Sequence, residues 1–366
     1  YYLIIMKMKY IPVFCAALMS MAMSCKETPE DQSPVKVDDK YNTMTLQNPV
    51  IRNNCADPSI IDDRERTGYF YLYSTQNGES GTAGVVYLPV YRSRDLVNWS
   101  LVGNAFGEDR PQWVPNTRVW APDINYIDGK YVLYYSLGDW NTPSNSACGV
   151  AVSDTPEGPF EDRGMLVNYA TQGVSNSIDA NFFDDGDTKY LFWGSFGQDS
   201  GIWAIELSDD GLSLKPGAKK KYICGHNFEG TYVHKRDGYY YLFASMGACC
   251  SGKESTYHVV VGRSENVLGP YYDPDGNPMD DDNYSYTILS NPTDNAFAGT
   301  GHNAEIVTDD AGQDWMPYHA YWEGNNYNGR CLNIDQVRWV GGWPMFMSGH
   351  PTEKGSGPKW NKEQTL

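Results

Sequence analysis

Basic residues are scarce in this chain of 366 residues: 28 Lys and Arg stand against 46 Asp and Glu, a formal charge of −18. A nucleic-acid groove needs a basic stripe to neutralise phosphates, so that class of partner is excluded, and the same field argues against polyanionic substrates. No C-x-x-C pair occurs among the eight cysteines, which leaves a zinc or redox centre with little support. Nor is there an apolar run of the ~20 residues that a permanent membrane helix requires; the stretch from Ile11 to Ser24 stops at 14. What abounds is aromatic and turn chemistry. Aromatics make up 14% of the chain, with 28 Tyr and 11 Trp beside 36 Gly, a mixture that favours short strands joined by tight turns over helical bundles.

Residues 1–25 differ from the rest. Lys7 and Lys9 precede the apolar run, and small residues lead to Cys25, the pattern of a secretion signal. Met6 or Met8 is the better start, which sets the five residues before Met6 apart as non-native. Met21-Ala22-Met23-Ser24-Cys25 resembles a bacterial lipobox, in which the Cys becomes the lipidated N-terminus. Residues 26–44 are Pro-rich and charged with little apolar content, and are expected to form a disordered tether to a propeller domain over 45–366. The expected location is therefore exported: an outer-membrane or cell-surface lipoprotein, or the periplasm, with membrane contact only through a lipid on Cys25. Export permits disulfides, but spacing alone does not give their pairing.

Five segments repeat one text. Tyr69 to Thr75, Lys130 to Ser136, Lys189 to Ser195, Tyr239 to Ser245 and Asp314 to Tyr321 are aromatic-rich strands, and each of the first four closes on Ser or Thr. Each follows a turn such as Asp128-Gly129 or Asp237-Gly238, has a short strand upstream and a third strand downstream. Three or four antiparallel strands, recurring five times at roughly fifty to seventy residues, predict an all-β five-bladed β-propeller. A β-sandwich with long insertions is the competing architecture, but it has no reason to repeat the same text. The segment that closes the ring is not identified by the repeat.

Four of the five first strands open with an acid: Asp57, Asp123, Asp179 and Glu229. The first strand of every blade runs along the central channel, so starting residues from different blades converge at one end of the axis. Crowding like charges is costly, and a pocket built for acid–base chemistry accounts for it; for Asp123, after Ala121-Pro122, turn capping is an equal reading. Ring order places Asp179 beside Glu229 and Asp57 across the channel. A neighbouring carboxylate keeps Glu229 protonated as general acid, while Asp57 stays ionised as base. A gap of ~6.5–9.5 Å between the two would leave room for a water, the arrangement of an inverting glycosidase. Trp120, just before an inner strand, is a candidate apolar face for a sugar ring, and Asn176 a weaker candidate for hydrogen bonds to sugar hydroxyls.

Asp57-Pro58-Ser59, Ser177-Ile178-Asp179 and Glu229-Gly230 together resemble the catalytic pattern of glycoside hydrolase family 43, five-bladed propellers acting on α-L-arabinofuranosidic and β-xylosidic bonds. Cys249-Cys250-Ser251-Gly252 and Gly301-His302-Asn303 are similar to the text of its arabinanases. The resemblance implies general base, pKa-tuning acid and general acid at Asp57, Asp179 and Glu229. It further implies a calcium ion held by His302 largely through water, no organic cofactor, a disulfide between Cys249 and Cys250, and arabinan as substrate of a monomeric enzyme. Ala56 stands where the family usually carries His, Thr300 where Pro is often found, and Gly197 where arabinanases commonly have a cleft Trp. Endo-arabinanase action is the expectation. An exo-acting arabinofuranosidase or a xylan-directed β-xylosidase is the alternative, and a non-catalytic glycan-binding propeller the third reading.

Overall fold

The computed structural model describes residues 40–78, 84–108, 110–115, 117–197, 199–280, 284–290 and 295–362. The signal segment, Cys25 and the tether up to residue 39 lie outside the described residues. Five antiparallel sheets follow one another along the chain, each built from consecutive strands. Their inner strands are Ser59–Asp63, Arg118–Ile127, Asn181–Asp184, Glu229–Arg236 and the broken pair Phe297–Gly301 with Val307–Thr308. These define blades 1 to 5 of a five-bladed β-propeller.

The local chemistry explains the hairpins. At Asp128-Gly129 and Asp237-Gly238 both turn residues have positive φ (48° and 83°; 51° and 82°), the mirror-image turn whose twist matches that of paired strands. The second strands are apolar on both faces. Lys130–Gly138 is buried from its second residue onward, because each blade is covered by a neighbour on either side. The core accordingly has its five large clusters between adjacent blades, beside two small ones. Leu133 and Tyr73 meet between blades 2 and 1, Trp193 and Val150 between 3 and 2, Leu242 and Phe192 between 4 and 3, Met316 and Phe243 between 5 and 4, and Phe70 and Ile334 between 1 and 5. Separate sheets with five interfaces exclude the sandwich.

The segments at either end of the described chain close the ring. Thr45–Gln47 pairs with Lys354–Ser356, and residues 50–55 run along blade 5, where Val50 N–H donates to Leu332 O (2.8 Å) and Cys55 N–H to Arg330 O (2.9 Å). Trp360 packs on Phe70 of blade 1 at 5.2 Å between ring centroids. The tether expected over 26–44 therefore gives way to ordered backbone by Tyr41, which bridges to Asn361, because residues 41–44 find partners in the last strand and tail.

Two layers of contacts encircle the axis. In the deeper one a polar side chain of each inner strand accepts a backbone N–H from the next blade: Ser59 from Ile124, Asp123 from Phe182, Asn181 from Val233, Tyr232 from Ile306 and Glu305 from Ile60, at 2.6–3.2 Å. In the upper layer one residue per blade lies in the left-handed region: Asp57 (51°), Ala121 (35°), Asp179 (57°), Gly230 (61°) and His302 (47°). For non-glycine residues this costs roughly 1 kcal/mol or more each. Four of the five are held by the preceding blade, where Thr75, Ser136 and Ser245 hydroxyls and His319 Nδ1 accept the N–H of Ala121, Asp179, His302 and Asp57.

Candidate active site

The upper layer sets the register of the chemistry. Asp57, Asp179 and His302 occupy equivalent places in blades 1, 3 and 5, whereas in blade 4 that place falls on Gly230, with Glu229 one residue before it. Ala121 holds it in blade 2, so Asp123 lies two residues deeper. There its carboxylate accepts from Asn181 Nδ2 (2.9 Å), Phe182 N (2.9 Å) and Asn125 Nδ2 (2.7 Å). Asp123 belongs to the stitching of the shaft and not to the mouth.

Asp57, Asp179, Glu229, His302 and Trp120 line one cavity of about 380 Å³ at the mouth of the channel. Asn176 does not line it: its amide donates to Phe196 O at 3.4 Å, because its loop turns the side chain back onto blade 3.

Asp57 is buried, which alone would raise its pKa. Arg330, His302 and His319 outweigh burial and hold it well below the usual carboxylate range. Arg330 Nη1 donates to its Oδ1 (2.8 Å), His302 Nδ1 lies 3.3 Å from the same oxygen, and Thr75 Oγ1 donates to Oδ2 (2.6 Å). Burial lowers the pKa of His302, and brings that of His319 down to about 4. His319 Nδ1 lies 3.1 Å from Asp57 N and 3.2 Å from Asp57 Oδ1, while its Nε2 has no hydrogen-bond partner.

Glu229 shifts the other way. Burial raises its pKa, and the Asp57 charge adds to this against the donors Ser195 Oγ (2.6 Å) and Tyr257 OH (2.8 Å). Asp179 is likewise raised, by burial first and then by the charge of Glu229, while accepting Gly230 N–H at 3.0 Å. Asp179 and Glu229 line the same cavity, as ring order predicts, and burial, more than a neighbouring charge, raises the pKa of Glu229. One carboxyl held below the usual range thus stands in the same cup as two held above it, the separation that acid–base catalysis needs.

Sequence reasoning missed Arg330, His319, Tyr257, Ser195 and Trp140. Ser195 carried a signal, since Ser or Thr ends each of the first four aromatic strands. His319 occupies the matching place in blade 5. Arg330 and Trp140 carried none, being single residues at a strand start and in a turn.

Below the mouth, a smaller cavity is lined by Asp123, Asp179, Thr231, His302, Asn303 and Glu305, among others. Thr231 Oγ1 and Asn303 Oδ1 are buried there without partners, and burial pushes Asp123 and Glu305 up to about 6 and about 8. Oxygen donors with one imidazole suit a hard cation. Among the described residues no three His, Cys, Asp or Glu side chains gather as a metal-binding group, so an ion here would keep part of its water shell. Cys249 and Cys250 are joined in a disulfide that borders the upper cavity, the pairing the resemblance implied.

Known proteins resemble this chain over most of its length. The exo-α-(1→5)-L-arabinofuranosidase ArbA of Cellvibrio japonicus, described as extracellular, is 33% identical over 306 residues, covering 75% of this chain and 82% of that protein. The extracellular endo-α-(1→5)-L-arabinanase 1 of Bacillus subtilis is 32% identical over 302 residues, covering 79% and 87%. A solved structure of Cellvibrio cellulosa α-L-arabinanase complexed with arabinohexaose superposes with a TM-score of 0.70 at 29% identity, covering 81% of this chain and 96% of that one. The model for glycosyl hydrolases family 43 matches residues 46–344. Acids carried on separate blades, charged and neutral as glycoside hydrolysis requires, together with a match spanning all five blades, establish that the chain is a glycoside hydrolase and belongs to glycosyl hydrolases family 43.

Proposed function

We propose that the enzyme hydrolyses α-1,5-linked L-arabinofuranosyl chains with inversion, acting within the chain. The observation that carries this reading is the opposed charge state of Asp57 and Glu229 in one cavity. Protonated Glu229 gives its proton to the glycosidic oxygen as the bond to the anomeric carbon breaks. Anionic Asp57 takes a proton from the water that attacks this carbon from the opposite face, so the configuration inverts. Asp179 fixes the Gly230 backbone beside Glu229, and its proximity favours the neutral acid. Solvent then returns a proton to Glu229 and removes one from Asp57.

Relatives named as arabinan-cleaving enzymes of both endo and exo type support the choice of sugar; a neutral chain also meets no repulsion from an acidic protein. Glu229→Gln and Asp57→Asn are each expected to lower turnover of debranched arabinan by at least ~10²-fold with the melting temperature retained. Near wild-type turnover in either variant would refute the assigned roles. Product length over time separates endo from exo cleavage, and the same assay on arabinoxylan tests the xylan-directed alternative.

A calcium ion would be held, through water, by His302, Asn303 and Thr231 below the mouth. Bound there, it would supply positive charge beneath the acids; the unpartnered oxygens of Asn303 and Thr231 support this reading. Relatives described as extracellular support export. The signal over 1–25, the lipid on Cys25 and a tether to the propeller are the form of export we favour, with the enzyme acting as a monomer.

A further inference from the structure

Trp140 is the one aromatic side chain at the site that neither the acid–base chemistry nor the packing of the blades accounts for. It follows the second strand of blade 2 and is 58% exposed, yet it lines the catalytic cavity. Among the described residues, no other large apolar side chain exposed to 40% or more does so. Its turn is built to hold it. Asp139 accepts from Asn141 N (3.0 Å) and Thr142 Oγ1 (2.6 Å), which fixes the backbone on either side of Trp140 while the indole stays exposed.

Trp140 also continues an existing wall. Its ring lies 4.9 Å from that of Trp120, tilted by 41°. Trp120 lies against Gly138, where a Cβ would come within 2.1 Å of the indole, so the glycine allows the pair to form. Trp120 is 8% exposed and sits next to the reacting groups: the following N–H, of Ala121, donates to Thr75 Oγ1, which donates to Asp57. The inner indole therefore borders the point of cleavage, and the outer one stands a ring further out, facing solvent. An exposed indole beside a sugar cleft gains by covering itself with the C–H face of a sugar.

We infer that Trp140 is a specificity-determining residue whose indole seats the sugar unit next to the one at the cleavage point, so that longer chains bind better than short ones. This rests on the arabinan reading above. The test compares linear α-1,5-arabinohexaose with arabinobiose in wild type, Trp140→Ala and Trp140→Phe. In Trp140→Ala the ratio of kcat/KM for hexaose to that for biose should fall roughly five- to tenfold, the size of one aromatic contact, with the loss in KM and not in kcat. Trp140→Phe should recover most of that ratio. An equal loss on both substrates, or an unaltered ratio, overturns the inference. If the wild type cleaves neither sugar, the arabinan reading fails by itself, and the same length comparison on xylo-oligosaccharides decides the role of Trp140.

Discussion

Arg330, Thr75 and the two imidazoles around Asp57 make a socket for a negative charge, whereas Glu229 has only two hydroxyl donors, from Ser195 and Tyr257, to offset its burial. That asymmetry sets the expected pH profile. The acid limb, from Asp57, should lie below the usual carboxylate range, and the alkaline limb, from Glu229, above it. Tyr257→Phe keeps the ring stacked on His319 at 5.5 Å but removes a donor that favours the charged acid. The alkaline limb of log kcat/KM should then move to higher pH by about one to two units, in line with loss of one hydrogen bond to a charged group. A shift to lower pH would show that Glu229 is not the proton donor. The three acids were legible because carboxylates at equivalent strand starts have few structural reasons to converge. Their wardens were not, since Arg330 and His319 act from blade 5 and nothing in a linear text links them to Asp57.

Each inner strand contributes one polar side chain to its neighbour's backbone, so the shaft is a cycle of five links in which Glu305 closes the round by accepting Ile60 N–H at 2.6 Å. The link chemistry varies between hydroxyl, amide, phenol and carboxyl, which is why the sequence left Asp123 between acid–base chemistry and turn capping although it serves the cycle. The blades themselves were readable from the recurring aromatic strands and their Asp-Gly turns. The one-residue offset of Glu229 was not, because it depends on which backbone unit adopts positive φ. The calcium ion proposed above belongs to this scale, since its ligands would come from the inner strand of blade 4 and the loop after that of blade 5. Chelation should lower the melting temperature by several degrees, about 1–2 kcal/mol at 2–4 °C each, and added calcium chloride should restore it. Asn303→Ala should shrink the difference between the two conditions. Equal melting curves with and without chelator would remove the ion from the proposal.

Ring closure is a property of the whole chain, and its clasp hid from sequence reading because residues 41–56 and 354–361 carry no trace of the repeat. Asp335 is a node of that clasp. Its Oδ2 accepts from Tyr318 OH (2.6 Å) in blade 5 and from Asn48 Nδ2 (3.4 Å) in the entering segment, while Thr352 N–H reaches Oδ1 at 3.2 Å from the leaving one. Burial pushes its pKa from 3.8 up to about 6. The folded state thus holds a proton that the unfolded chain releases, so this contribution is full below about pH 4 and is lost as pH rises through about 6. Urea midpoints should decline over that window by an amount equivalent to at most about 3 kcal/mol, and Asp335→Asn should flatten the decline; an identical slope in the variant would count against it. At the far end of the chain, Cys25→Ala in a bacterial host should move the enzyme from the detergent-extracted membrane fraction to the soluble one. Enzyme soluble from the outset would rule out the lipid.

The two layers around the axis divide labour in a way that bears on ancestry and on engineering. Inter-blade stitching is completed beneath the mouth by groups that take no part in hydrolysis, so the five left-handed positions above form a crown that can be re-dressed without dismantling its support. Ala121 holds the blade 2 place in that crown, buried against Trp120 and Ile178 and outside the lining of the cup, so that blade 2 faces the acids through an indole and adds no further acid to them.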